Sequence, residues 1–403
     1  MPTQRFSLSL LLLVLCTILG CSCNILSSET TPQLMWSIPL SSGKLIEGIF
    51  ATTYYAPTNS ILCLGSLQSR PILYMVSANS GKILWQWQDL FSASERIFND
   101  YPYTADNILI INSSPNIYAI NLSTGVTQWK LQKPPSNNPR GSGIGKTYFM
   151  VSDSLKLFSV NTTTGESLYR FQLTNDTSNA VSTFNAPVPI IDNQTQDTLL
   201  LSAWSYGFYQ NAFSATYLLL YNLTQKRIIY NMLQREGVAS GTNGFLLPNR
   251  IPTIDKDKIY LGIGKSFQCN NLKTGSLLWR KTDFEGNFFE SGVLVVNDKV
   301  YSITSVGELF CLNASTGAVI WKTSTKGLSS TLLHLNGVIY LTSIGDGKLY
   351  AIDANTGAYI WQLRSPDDES SGGQSYFKDN VTTDGKNIFV STYLNLYCYK
   401  AAR

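Results

Sequence analysis

Apolar and polar residues alternate along most of this chain in runs of five or six, and the runs come in pairs joined by tight polar turns. In LYAID (349–353) and AYIWQ (358–362) the alternation has a period of two, the signature of β-strands with at least one packed face. The Asp/Asn-x-x-Thr-Gly between such runs is a hairpin turn. Its Asx side chain caps backbone N–H groups, and its Gly takes a positive φ that other residues resist.

One eleven-residue phrase built on this pattern recurs down the chain. It reads MVSANSGKILW ending at Trp85, AINLSTGVTQW at Trp129, SVNTTTGESLY at Tyr169, CNNLKTGSLLW at Trp279, CLNASTGAVIW at Trp321 and AIDANTGAYIW at Trp361. A degenerate copy, LYNLTQKRIIY, ends at Tyr230. Apolar runs such as KVYSIT (299–304) and VIYLTS (338–343) precede the copies. Markers lie 40 to 61 residues apart, which fits one four-stranded antiparallel sheet per repeat. A single such sheet cannot bury both faces, whereas sheets stacked radially into a closed ring can. Seven repeats are complete, and an eighth (384–400) stops before its last strand. The missing strand is available in QLMWSIPL (33–40), where Trp36 occupies the marker position. The expectation is an all-β, eight-bladed β-propeller of four-stranded antiparallel blades, closed by the N-terminal strand completing the last blade. Trp36, Trp85, Trp129, Trp279, Trp321 and Trp361 are expected to dock each sheet onto the next, over turns that carry Gly125, Gly275, Gly317 and Gly357.

The phrase A-x-D/N-x-x-T-G-x-x-x-W, clearest at Ala351, Asp353, Thr356, Gly357 and Trp361, resembles the tryptophan-docking repeat of the pyrroloquinoline-quinone (PQQ)-type propellers. The resemblance spans about 35–400 and implies the propeller fold. Two branches share that repeat: quinone-dependent alcohol and sugar dehydrogenases, and non-catalytic exported propellers. The second branch includes the lipoprotein that assists outer-membrane protein assembly.

The N-terminus reads as an address. Arg5 precedes an apolar stretch from Leu8 to Leu19, the plan of a secretory signal peptide over 1–20. ILGC (18–21) resembles a lipobox, which makes Cys21 the expected lipidation site, followed by a tether over 21–32. Residues 33–403 then form a single PQQ-like β-propeller domain.

Composition narrows the chemistry. Hydrophobic residues make up 44% and charged ones 14%, with a net charge of +4 and no Lys/Arg run to track a phosphate backbone, so nucleic acid is not an expected partner. One histidine, His334, rules out His-rich metal sites and disfavours a Ser-His-Asp triad; its place on an inner strand gives it a structural reading. The alcohol dehydrogenases of the first branch carry a vicinal Cys-Cys pair, a calcium site and a catalytic Asp. No two cysteines here are adjacent, since Ser22 separates Cys21 from Cys23, and no acidic constellation has suitable spacing. Cys269, Cys311 and Cys398 share one repeat position that wants a small apolar side chain, and with Cys63 they read as buried thiols, not disulfides. GSGIGKT (141–147) is one residue short between its glycines for a phosphate loop and leads into a strand. The eight N-x-S/T sequons are about what an Asn-, Ser- and Thr-rich chain produces by chance. No catalytic, cofactor-binding or metal-ligating residue is predicted.

What remains is recognition. In an antiparallel blade the b–c loops and the d–a connections share one face, and every long insertion falls there: 89–103, 133–143, 204–216, 234–244, 283–290 and 365–378. Their aromatics, Trp204, Tyr206, Phe208, Tyr209, Phe288, Phe289, Tyr376 and Phe377, form the expected binding face, with packing back onto the blades as the competing reading. The function expected is a non-catalytic exported scaffold for a protein or peptide partner, in envelope protein assembly as the resemblance implies. It would be monomeric and touch a membrane only through its lipid anchor. The alternatives are a PQQ-dependent alcohol or sugar dehydrogenase-like subunit and an extracellular sensor or glycan-binding module.

Overall fold

The computed structural model describes residues 31–41, 49–50, 52–67, 70–89, 96–99, 102–114, 116–132, 141–151, 156–172, 181–208, 213–238, 251–282, 284–288, 292–327, 330–368, 375–377 and 380–403. The expected leader, Cys21 and most of the tether lie outside this set. Eight sheets follow one another along the chain as the blades of one propeller, antiparallel but for the pairing of Ile49–Phe50 with Arg96–Asn99 beside blade 2. Blade 1 spans 53–87, blade 2 103–132, blade 3 141–172, blade 4 188–238, blade 5 253–281, blade 6 293–324 and blade 7 333–364. Strands a to d of each blade run from the ring axis to the rim.

Blade 8 takes three strands from the end of the chain (382–400) and its outermost from Leu34–Pro39, which pairs antiparallel with Asn395–Lys400. Trp36 lies opposite Cys398 and Ser37 opposite Tyr397, and the Lys400 N–H donates to the Gln33 carbonyl at 2.9 Å. The two ends of the sequence thus close the ring by strand pairing, as the incomplete eighth repeat predicts.

The core is a series of slabs between neighbouring blades. In strand b of blade 7, Ile339 and Leu341 pack with Tyr301, Ile303 and Trp321 of blade 6, while Val338 and Tyr340 pack with Ile388 and Val390 of blade 8. Middle strands therefore bury both faces and read as unbroken apolar runs, whereas the rim strands alternate, as in the e-e-B-e-i-e exposure of Val319–Ser324 (e exposed, B buried, i between).

The turn of blade 7 has two reasons for its glycine. Gly357 has φ +75°, and a Cβ there would sit 2.6 Å from Cε3 of Trp321, which lies flat across the turn. Asp353 Oδ1 accepts the N–H groups of Asn355 and Thr356, each at 3.0 Å, which fixes the same turn. Asn121, Asn161 and Asn313 make equivalent bonds to backbone N–H groups, so these sequon asparagines already have a local task. Blade 4, the degenerate copy, places Lys226 at the glycine position with φ +53°.

One expectation needs correcting. The segment 204–216, read as a long b–c loop, is mostly strand: Thr198–Phe208 and Phe213–Asn222 pair along their whole length, and Arg227–Val238 extends beside them. Val181–Phe184 adds a further strand to this end, so blade 4 projects beyond its neighbours on the long-loop side. The aromatic content of the segment favours strand, and continued ladder pairing satisfies its backbone.

Candidate binding face and central cavity

The docking tryptophans bridge blades by one recurring bond. Trp36 Nε1 donates to the Ala78 carbonyl at 3.1 Å, Trp85 to Leu122 at 2.8 Å, Trp129 to Thr162 at 2.9 Å, Trp279 to Ala314 at 3.1 Å and Trp321 to Ala354 at 3.1 Å. In blade 4 the Tyr230 hydroxyl does the same to Leu272 at 2.9 Å. Two of these carbonyls accept a second donor: Tyr260 OH reaches Ala314 and Tyr301 OH reaches Ala354, both at 3.1 Å. Trp85, Tyr230, Trp279 and Trp321 lie against Gly125, Gly275, Gly317 and Gly357 respectively. Trp361 is buried beside Tyr340 and packs near Ala401 and Ala402, which lie where blade 8 has no turn of its own. The side chain of Tyr169 lies outside the described set.

On the long-loop face several rings predicted to be offered to a partner pack inward instead. Phe288 and Phe377 are wholly buried. Phe288 packs edge-on against Phe310 at 5.6 Å and also touches Phe267, sealing blades 5 and 6. Phe377 packs edge-on against Tyr397 at 5.9 Å. Trp204 is buried too; it stacks on Tyr217 at 4.6 Å and donates to Asn231 Oδ1 at 3.0 Å. The apolar area of these rings is better removed from water than left on a loop. Tyr206 and Tyr376 remain half-exposed, and Tyr376 meets Tyr393 edge-on at 5.4 Å. The side chain of Phe208, and residues Tyr209 and Phe289, lie outside the described set.

Beneath this face, where the a strands begin, the ring axis holds a cavity of about 380 Å³. Five threonines (Thr52, Thr53, Thr253, Thr331 and Thr382) and Asn380 supply its polar lining, and Pro102, Ile251, Val293, Leu332 and Val381 most of the rest. Several of the polar groups tie blade to blade: Thr253 Oγ1 donates to the Val293 carbonyl at 2.9 Å, and Asn380 Oδ1 accepts from Thr331 N at 2.9 Å. Asn380 is thereby committed within the channel, and Asn112 and Asn222, two more sequon asparagines, are buried.

The charged groups lie elsewhere. Asp367, buried on the link into blade 8, accepts from Tyr397 OH at 2.5 Å, Thr392 Oγ1 at 2.6 Å and Asn395 Nδ2 at 2.7 Å, a knot holding the link to the b–c turn. Burial, then the bonded carboxylate, push the Tyr397 phenol up. His334 lies half-buried on strand a of blade 7, where desolvation lowers its pKa. Cys63, Cys269, Cys311 and Cys398 are buried free thiols. Burial pushes Cys269 and Cys311 up to about 11 and Cys398 to about 12, so none is a thiolate near neutrality. Residues 141–147 form a strand–turn–strand hairpin, as expected. Among the described residues, no three His, Cys, Asp or Glu side chains converge as a metal site would require. No local pattern signals the Asp367 knot or the polar seam between blades 4 and 5, because each joins residues far apart along the chain.

Fold and turn chemistry together define a PQQ-type repeat β-propeller. The chain belongs to the family described as outer membrane protein assembly factor BamB, whose model matches residues 28–262 and 266–402. BamB from Moraxella catarrhalis has a similar structure, with a TM-score of 0.61 at 13% identity, covering 92% of this chain and 100% of that one. A europium-containing methanol dehydrogenase aligns with a TM-score of 0.65 at 11% identity, over 92% of this chain and 93% of its own. In sequence, a tetrathionate hydrolase of Acidithiobacillus ferrooxidans is 20% identical over 324 residues, or 77% of this chain. The chain spans only 61% of that relative's length.

The quinone cofactor implied by the dehydrogenase branch, with its calcium, would need carboxylate and amide oxygens converging on the axis. Among the described residues, the cavity lining offers hydroxyls, one amide and apolar groups, without a carboxylate or thiol. The described lining residues do not fit that group.

Proposed function

We propose that this protein is a non-catalytic, exported propeller scaffold that holds a polypeptide partner on its long-loop face during envelope protein assembly. The observation that carries this reading is the assembly-factor family match across nearly all of the ring. The described lining of the axial cavity agrees with it, being threonines, one amide and apolar side chains, since a site for quinone chemistry would concentrate ionisable groups there. The signal peptide over 1–20, the anchor at Cys21 and the tether over 21–32 belong to the same reading, and place a monomeric propeller at a membrane surface. Tyr206 and Tyr376, half-exposed rings that pack against Tyr217 and Tyr393, are the proposed contacts.

Cross-linking in the envelope fraction tests this. A polypeptide captured through the long-loop face should be lost from a Tyr206→Ala, Tyr376→Ala double variant and kept by a Ser315→Ala variant on the opposite turns. Equal capture by both variants would refute the face assignment.

The runner-up is an enzyme, favoured by the likeness to a methanol dehydrogenase and a tetrathionate hydrolase. Its test is turnover. Oxidation of alcohols with added PQQ and calcium, or hydrolysis of tetrathionate, would displace the scaffold reading.

A further inference from the structure

Most slabs between blades are apolar, but the outer half of the seam between blades 4 and 5 is polar. Ser266, Gln268 and Asn270 line up along strand c of blade 5, and Gln234 from the rim strand of blade 4 fills the space before them. Gln234 Oε1 accepts from Asn270 Nδ2 at 2.6 Å and Gln268 Nε2 at 3.0 Å. Two arginines flank this column. Arg235 Nη1 donates to Ser266 Oγ at 2.6 Å, with the Ile263 carbonyl at 3.5 Å. Arg280 Nε donates to Gln268 Oε1 at 2.9 Å, and its Nη2 to the Gln234 carbonyl at 2.7 Å.

The backbone is bent to achieve this. Strand pairing in blade 4 shifts register between Thr216 and Tyr217, so that Leu233 and Gln234 together oppose one residue. The bulge lets consecutive residues, Gln234 and Arg235, both reach towards blade 5, which regular alternation forbids. Glu236, the adjacent carboxylate, instead acts on Tyr217.

All acceptors of the two guanidiniums are neutral. Lys322 pairs with Glu308 at 2.8 Å and Lys348 with Asp346 at 3.8 Å, whereas among the described residues neither Arg235 nor Arg280 has an acidic partner. Desolvation, and then the charge of Arg235, lower the pKa of Arg280. Lys265, half-exposed in the turn between Ile263 and Ser266, adds a third positive charge. Nε and Nη2 of Arg235 and Nη1 of Arg280 have no bonded acceptor among the described residues, so the pair has donors left for an oxygen-rich anion.

We infer that the rim of the seam between blades 4 and 5 is an oxyanion-binding site, formed by Arg235 and Arg280 with Lys265 at its edge. It takes a carboxylate, sulfate or phosphate group by paired N–H donation from the two guanidiniums. The site stands apart from the axial cavity, and the inference does not depend on the scaffold reading.

Isothermal titration of the full chain with sodium sulfate, against sodium chloride at matched ionic strength, tests it. Wild type should give saturable heat with sulfate alone, weakened at least about tenfold in Arg235→Gln, with native thermal unfolding as the check on folding. Arg280→Gln should do likewise. Lys281→Gln removes an adjacent charge on a residue paired with Phe267 and should bind within about twofold of wild type. Competition by a glutamate-containing peptide, but not by its glutamine counterpart, would assign the oxyanion to a polypeptide carboxylate. Sulfate binding without such competition would assign it to a small free anion, and either result upholds the site. No saturable sulfate heat in wild type, or equal weakening by Lys281→Gln, overturns it.

Discussion

Replacing Trp321 by alanine, alone and together with Gly357→Ala, dissects the join between blades 6 and 7. Trp321 is 8% exposed, packs against Tyr301 at 5.9 Å, lies across Gly357 and donates to Ala354. Truncating a buried tryptophan costs about 3–5 kcal/mol through lost burial and the cavity left behind. The Ala354 carbonyl is not orphaned, because Tyr301 OH still reaches it at 3.1 Å; the lost bond thus adds only about 1 kcal/mol. Gly357→Ala in the wild-type ring has two costs. An alanine at φ +75° loses about 1–2 kcal/mol, and its Cβ, 2.6 Å from the indole, adds an overpacking cost of about 1–3 kcal/mol. With Trp321 already gone, only the first cost remains. The double variant should therefore be less destabilised than the sum of the singles, by at least about 1 kcal/mol. Urea titration with unchanged m-values measures all four corners of the cycle. Strict additivity, or a Trp321→Ala effect below about 1 kcal/mol, would refute the account of the turn glycine and its docked ring together.

Further outcomes follow from the same geometry. Burial alone would raise the Asp353 carboxyl, but Arg403 at 2.8 Å and the Thr356 and Asn355 donors outweigh it and hold it below its ordinary value. Its stabilisation is then present above the unfolded-state carboxylate pKa of about 3.9 and lost as pH falls through the lower folded value. Asp353→Asn keeps an Oδ1 acceptor for the turn, so its urea midpoint should trail wild type at pH 6 and converge with it near pH 2. Iodoacetamide at pH 8 should leave Cys63, Cys269, Cys311 and Cys398 unmodified in the native protein and label all four in urea, as peptide mass mapping would show. Cys21→Ser should move the protein from the membrane fraction to the soluble one; a wild type that is already soluble would end the anchor proposal.

The blade count was legible because a propeller writes its architecture locally. Turn, strand and docking tryptophan lie within eleven residues and repeat, so Asp353, Gly357 and Trp361 announce their roles without reference to distant residues. Closure was legible too, since an eighth repeat lacking a strand and an unassigned strand near Trp36 match only each other. The loops were not. Whether an aromatic on a connection faces water or a neighbouring blade depends on what lies opposite, and no local pattern records that. Phe288 and Phe377 are buried because Phe310 and Tyr397 wait across the gap. Trp204 sits in a strand because Tyr217 and Asn231 continue the sheet beyond the usual blade length.

The sheets, their number and the way the ring closes were written locally, since strand period, turn glycines and docking rings act over a few residues. The chemistry of each seam came from three-dimensional packing. That packing set Arg235 and Arg280 against neutral oxygens at one rim, gathered four polar side chains onto Asp367 at the link into blade 8, and lined the described part of the axis with threonines. Radial packing sets residues tens of positions apart within hydrogen-bond distance, and desolvation then fixes which of their charges and donors still need a partner.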